Sequence, residues 1–72
     1  MTILLKVSFG VHVSLDRVAG MVSGIAAYGN VTPQSDRAFS VEVFRASKLP
    51  NLKSELAQLE QYGFLIWEEI SN

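Results

Sequence analysis

Leu5, Val7, Phe9, Val11 and Val13 alternate with Lys6, Ser8, Gly10 and His12, and this period of two predicts a half-buried strand. Gly10, inside so long a run, predicts a bulge or bend there. Ser14 then has the character of a helix N-cap, and Asp16 falls in the first turn, where the helix dipole favours negative charge. The first helix is therefore expected to start at Leu15 and to end at a Gly29 C-cap. Within it Leu15, Val18, Val22 and Ile25 recur at three- and four-residue spacing and give a stripe that can lie on a sheet.

Asn30 to Asp36 contains Val31-Thr32-Pro33, too short and interrupted for a central strand, so it reads as either a loop or a short edge strand. Alternation returns from Ala38, with Phe39, Val41 and Val43 facing one way and Ser40 and Glu42 the other, and ends near Arg45. Ser47, Pro50 and Asn51 mark a turn. Leu52, Leu56 and Leu59, extended by Leu49, then form a second helical stripe that Gly63 stops. Phe64-Leu65-Ile66-Trp67 is a short apolar run between Gly63 and Glu68 and reads as the last strand.

Right-handed strand-helix-strand connections place both helices on one face of one sheet. The expected fold is a single α+β domain over residues 1–72, a two-layer sandwich. Its order is ferredoxin-like βαββαβ if Val31-Thr32 forms a strand, and βαβαβ if it does not. The other sheet face is then bare. With Leu5, Val7, Phe9, Phe39, Val41 and Val43 turned to the helices, the bare face carries Lys6, Ser8, His12, Ser40 and Glu42. The last strand adds either Leu65 and Trp67 or Phe64 and Ile66. Trp is a common interface anchor that tolerates a partly wet site, so Leu65 and Trp67 are expected to point outward, joined by Leu4 and Phe44.

Gly20 and Gly24 lie inside the first helix, where each costs about 1 kcal/mol relative to alanine. Close packing within the monomer is the expected compensation. The rival is a smooth surface of Ala19, Gly20, Ser23, Gly24 and Ala27 that a partner backbone can approach.

Composition narrows the functions open to such a fold. A chain of 72 residues hides only roughly 60% of its unfolded surface. Without cysteine, and with a single histidine, it has neither disulfides nor a histidine-rich metal site to add stability. Good packing and oligomerisation remain. Hydrophobic residues make up 49% of the chain and mean hydropathy is +0.24, so apolar surface is expected to be left for a partner. The net charge of −1, with no basic cluster, gives electrostatic capture of nucleic acid or anionic membrane no support. The start Met1-Thr2-Ile3-Leu4-Leu5-Lys6 does not read as a signal peptide, and no apolar stretch approaches about 20 residues. A cytoplasmic location is expected.

Candidate chemistry is sparse. His12, with Asp16 four residues on, is the one candidate base, and Ser14 is better explained as a cap than as a nucleophile. No cofactor or metal is expected, and the chain does not read as an enzyme. Arg37, Ala38, Phe39 and Phe44 resemble the RNP1 strand of RNA-recognition motifs, but Val41 replaces the second stacking aromatic and Glu42 adds negative charge. RNA binding is not expected. The βαββαβ order also resembles that of ACT-type regulatory domains, which implies pairing through sheets or helices around an amino-acid site. The loop Val13-Ser14-Leu15-Asp16 lacks the glycine turn of such a site.

The expected function is a small protein-binding domain that acts as an adaptor, regulator or inhibitor and forms homodimers. Its contact residues are expected to be Trp67, Leu65, Phe44 and His12 on the sheet, with Gly20 and Gly24 as the rival helix surface. The alternative is an ACT-like sensor that binds a metabolite between subunits.

Overall fold

The computed structural model of the chain describes residues 2–70. Its elements follow the order β1 (Ile3–Phe9), α1 (Leu15–Ile25), β2 (Asn30–Pro33), β3 (Ala38–Val43), a single 3-10 turn (Ala46–Lys48), α2 (Leu49–Gln61) and β4 (Leu65–Ile70). The four strands form one sheet in the order β2-β3-β1-β4, and every neighbouring pair is antiparallel. This is the ferredoxin-like α+β arrangement. Val31-Thr32 decides it as the short edge strand β2, paired with Val41 and Ser40.

One sheet face supplies Leu5, Val7, Phe9, Val41, Val43 and Leu65 to the core, and the helices add Val18, Ile25, Leu52 and Leu56, all buried. The apolar stripes of both helices therefore cover the same face. Phe9 and Phe39, on neighbouring strands, meet edge to face with ring centroids 5.8 Å apart.

Local signals place the helix ends. The Ser14 hydroxyl accepts a hydrogen bond from the Arg17 amide at 3.3 Å, so α1 starts at Leu15 as its cap predicts. It stops at Ile25, with Ala26 rather than Gly29 as C-cap. Gly29 instead lies against the backbone of β3 at Glu42. Gly63 closes α2 in the left-handed conformation, φ 80°. Its amide donates to the Glu60 carbonyl at 2.9 Å and the Phe64 amide donates to the Leu59 carbonyl at 3.1 Å, a Schellman cap that directs the chain into β4.

Three expected placements are corrected. β1 ends at Phe9 because Gly10–Val13 turns away, closed by the Val13 amide donating to the Gly10 carbonyl at 3.1 Å. His12 therefore lies exposed in a turn and not on the sheet. Val13 is buried beyond that turn while Val11 is 86% exposed. Leu65 and Trp67 point to the helices, because the register sets Leu65 opposite Phe9 and Trp67 opposite Val7, both core residues. Ile66, Glu68 and Ile70 take the outward positions. Finally, Gly20 and Gly24 are exposed. A Cβ built at Gly20 meets nothing within 4 Å, and one at Gly24 meets only the Glu55 carboxylate, at 3.9 Å. Close packing inside the monomer does not account for either glycine.

Candidate interaction surfaces

The uncovered sheet face is mixed in character. Register places Lys6 between Ser40 and Glu68, Leu4 between Glu42 and Ile70, and Ser8 between Ala38 and Ile66. Lys6, Ser8, Ser40 and Glu42 lie there as expected. Ile66 is the strongly exposed large apolar side chain on this face, at 67%, and it takes the anchor position that the sequence pattern assigns to Trp67. Leu65, at 3% exposure, belongs to the core. Trp67 is half-buried, and its indole N–H is shielded from solvent with no acceptor among the described residues.

Phe44 follows β3 by one residue and is 55% exposed. It lines a shallow depression with Tyr28, Gly29, Asn30 and Lys48, remote from Ile66. The Lys48 ammonium donates to the Ala27 carbonyl at 3.4 Å, placing a positive charge just past the C-terminal end of α1, where the dipole favours it. Phe44 and Ile66 thus do not form one patch.

The outer side of α1 is built of small residues. Ala19, Gly20, Ser23, Gly24 and Ala27 are all exposed. Beside them a groove of about 460 Å³ runs along the helix, lined by Leu15, Ala19, Val22, Ser23, Ala26 and Phe39. Leu15 is 51% exposed, since the short strand β2 does not extend the sheet far enough to cover it. The sequence pattern turns Phe39 towards the helices, where it packs against the core, but it does not indicate the groove that opens beside it. The signal available was the brevity of Val31-Thr32-Pro33, which leaves a helix overhanging a narrow edge.

Arg37 has a structural task. Its guanidinium donates to the carbonyls of Gly10, at 2.8 Å, and Val13, and so clasps both ends of the β1–α1 turn. The Gly10 amide donates to the Phe64 carbonyl at 3.0 Å and ties the same turn to β4. The His12 ring folds back over Gly10, where an added Cβ would overlap it. Tyr28, in the α1–β2 connection, donates its hydroxyl to the Glu55 carboxylate at 3.0 Å and links that connection to α2. That hydrogen bond, then the carboxylate charge and loss of hydration, raise the Tyr28 pKa above the ordinary tyrosine value.

Among the described residues no group of three or more His, Cys, Asp or Glu side chains could hold a metal ion, and no helix is long and apolar enough to cross a membrane. No protein-family model matches the chain, and no curated protein matches it.

Proposed function

We propose that the chain is a small, non-enzymatic protein-binding domain of the cytoplasm, a homodimer that acts as an adaptor, regulator or inhibitor of another protein. The observation that carries this reading is the pair Gly20 and Gly24. Gly20 lies in mid-helix, where glycine is unfavourable by about 1 kcal/mol, and Gly24 is the penultimate residue of α1, in its last turn. Neither has a neighbour inside the monomer that requires its small size. A helix of a partner protein would benefit from both, since small residues let two backbones come close. The groove from Leu15 to Ala26, with Val22 and Phe39, flanks this small-residue face on the side away from the glycines, and Ala19 and Ser23 belong to both surfaces.

The test is affinity isolation from the cell of origin with three forms of the chain. Ser23→Arg places a long charged side chain in the groove, and Gln58→Arg places the same group on the exposed side of α2 as a control. A protein held by the wild type and by Gln58→Arg but lost from Ser23→Arg supports the reading. Equal recovery by all three contradicts it.

One observation favours the ACT-like sensor as a second reading. The β1–α1 turn runs from Gly10 to Val13, so it contains the glycine that Val13-Ser14-Leu15-Asp16 lacks. A metabolite bound there would stabilise the native state by mass action. A rise in melting temperature with one amino acid from a full panel would support the sensor, and no shift across the panel would remove it.

A further inference from the structure

We propose that β4 pairs with β4 of a second copy, antiparallel about a two-fold axis through Trp67, joining two sheets into one; this specifies the self-association proposed above and rests on it. The sheet has two free edges. β2 is four residues long and ends in Pro33, a residue that blunts a sheet edge. β4 is six residues long and contains no proline.

The backbone of β4 shows which groups are free. The Gly10 amide donates to the Phe64 carbonyl. In an antiparallel ladder hydrogen-bonded residues alternate, so Ile66, Glu68 and Ile70 also direct their peptide groups at β1. Leu65, Trp67 and Glu69 direct theirs outward, to the open edge.

Three two-fold registers are possible near the middle of the strand, and charge and hydrogen bonding select one. An axis through Glu68 sets the two Glu68 carboxylates directly opposite each other, which is destabilising. An axis through Ile66 uses only Leu65 and Trp67 of the outward-facing residues. An axis through Trp67 uses all three, with Leu65 opposite Glu69 of the second copy and Trp67 opposite Trp67. Ile66 then faces Glu68, so no like charges are directly opposed.

Acidic side chains commonly guard such an edge, but here Glu69 is paired within its own subunit. The Glu69 carboxylate pairs with the Lys53 ammonium at 2.7 Å, and Glu68 is opposite Lys6 on β1. Trp67, at the proposed centre, also carries the shielded indole N–H that has no acceptor among the described residues.

The experiment combines light scattering with cross-linking. Wild-type chain is expected to be a dimer. Glu69→Pro removes an outward N–H that β1 does not use, and should raise the dimer dissociation constant about 100-fold. Glu69→Gln should leave the dimer intact. The chain has no cysteine, so Ile66→Cys and Glu68→Cys report the register at exposed positions that do not disturb the core. Their mixture should form a disulfide-linked heterodimer well in excess of the homodimers formed by either variant alone. A dimer that forms no such heterodimer overturns the edge pairing and leaves homodimerisation standing. A monomer at every concentration overturns both.

Discussion

Gly29 lies so close to Glu42 that a Cβ added to it would overlap the Glu42 carbonyl oxygen. The contact holds the α1–β2 connection against the backbone of β3, and backbone cannot rotate aside as a side chain can. Gly29→Ala should therefore lower stability by about 2 kcal/mol, equivalent to a fall of roughly 10 °C in melting temperature for a domain of this size.

Gly20 has the opposite environment, with open space where a Cβ would stand. Gly20→Ala should raise stability by about 1 kcal/mol through helix propensity and a less flexible unfolded chain. The same variant should weaken capture of the partner. Thermal melts of Gly20→Ala and Gly29→Ala, run together, check the first point, since the two should shift in opposite directions.

Arg37 clasps the β1–α1 turn through the carbonyls of Gly10 and Val13. Hydrogen bonds from a charged donor contribute about 1.5–3 kcal/mol each, but Arg37 is only half-buried and the Gly10 carbonyl keeps its bond from the Val13 amide. Arg37→Ala should thus cost about 2 kcal/mol in urea denaturation. Amide exchange at Val13 should quicken while the β1–β3 ladder stays protected.

The Tyr28–Glu55 hydrogen bond gives stability a specific pH dependence. Because folding raises the Tyr28 pKa, the contribution of this bond is complete below the unfolded tyrosine value of about 10 and is lost as pH rises through the higher folded value. Wild type should melt above Tyr28→Phe at pH 7 to 9, and the difference should shrink on raising the pH past about 10. A constant difference through that range would contradict the assignment.

Much of this architecture is legible in the chain. Ser14 and Gly63 mark helix ends, the stripes of Val18, Ile25, Leu52 and Leu56 face the core, and alternation sets the inward faces of β1 and β3. The orientation of β4 is not legible, because either parity of Leu65–Ile70 carries both apolar residues and one glutamate. Only the register against Val7 and Phe9 resolves it. His12 misleads for a related reason: the Gly10–Val13 turn returns Val13 to the core, so the alternation continues in the sequence after the strand has ended. The exposure of Gly20 and Gly24 depends on how α1 is rotated over the sheet, which a glycine itself does nothing to indicate.

Trp67 sits on the helix-facing side of β4, so its truncation should act on folding as well as on association. Trp67→Ala should cost about 3 kcal/mol in a urea titration. Ile66→Ala, on the exposed face, should cost less than about 1 kcal/mol. Equal losses would contradict the orientation of the strand.

The most direct measurement is amide hydrogen exchange along β4, resolved by residue, at high and low protein concentration. Pairing through β4 predicts that the Leu65, Trp67 and Glu69 amides are protected at high concentration and lose protection on dilution. The Ile66, Glu68 and Ile70 amides, bonded to β1, should depend far less on concentration. Fast exchange at Leu65, Trp67 and Glu69 at every concentration would contradict the pairing.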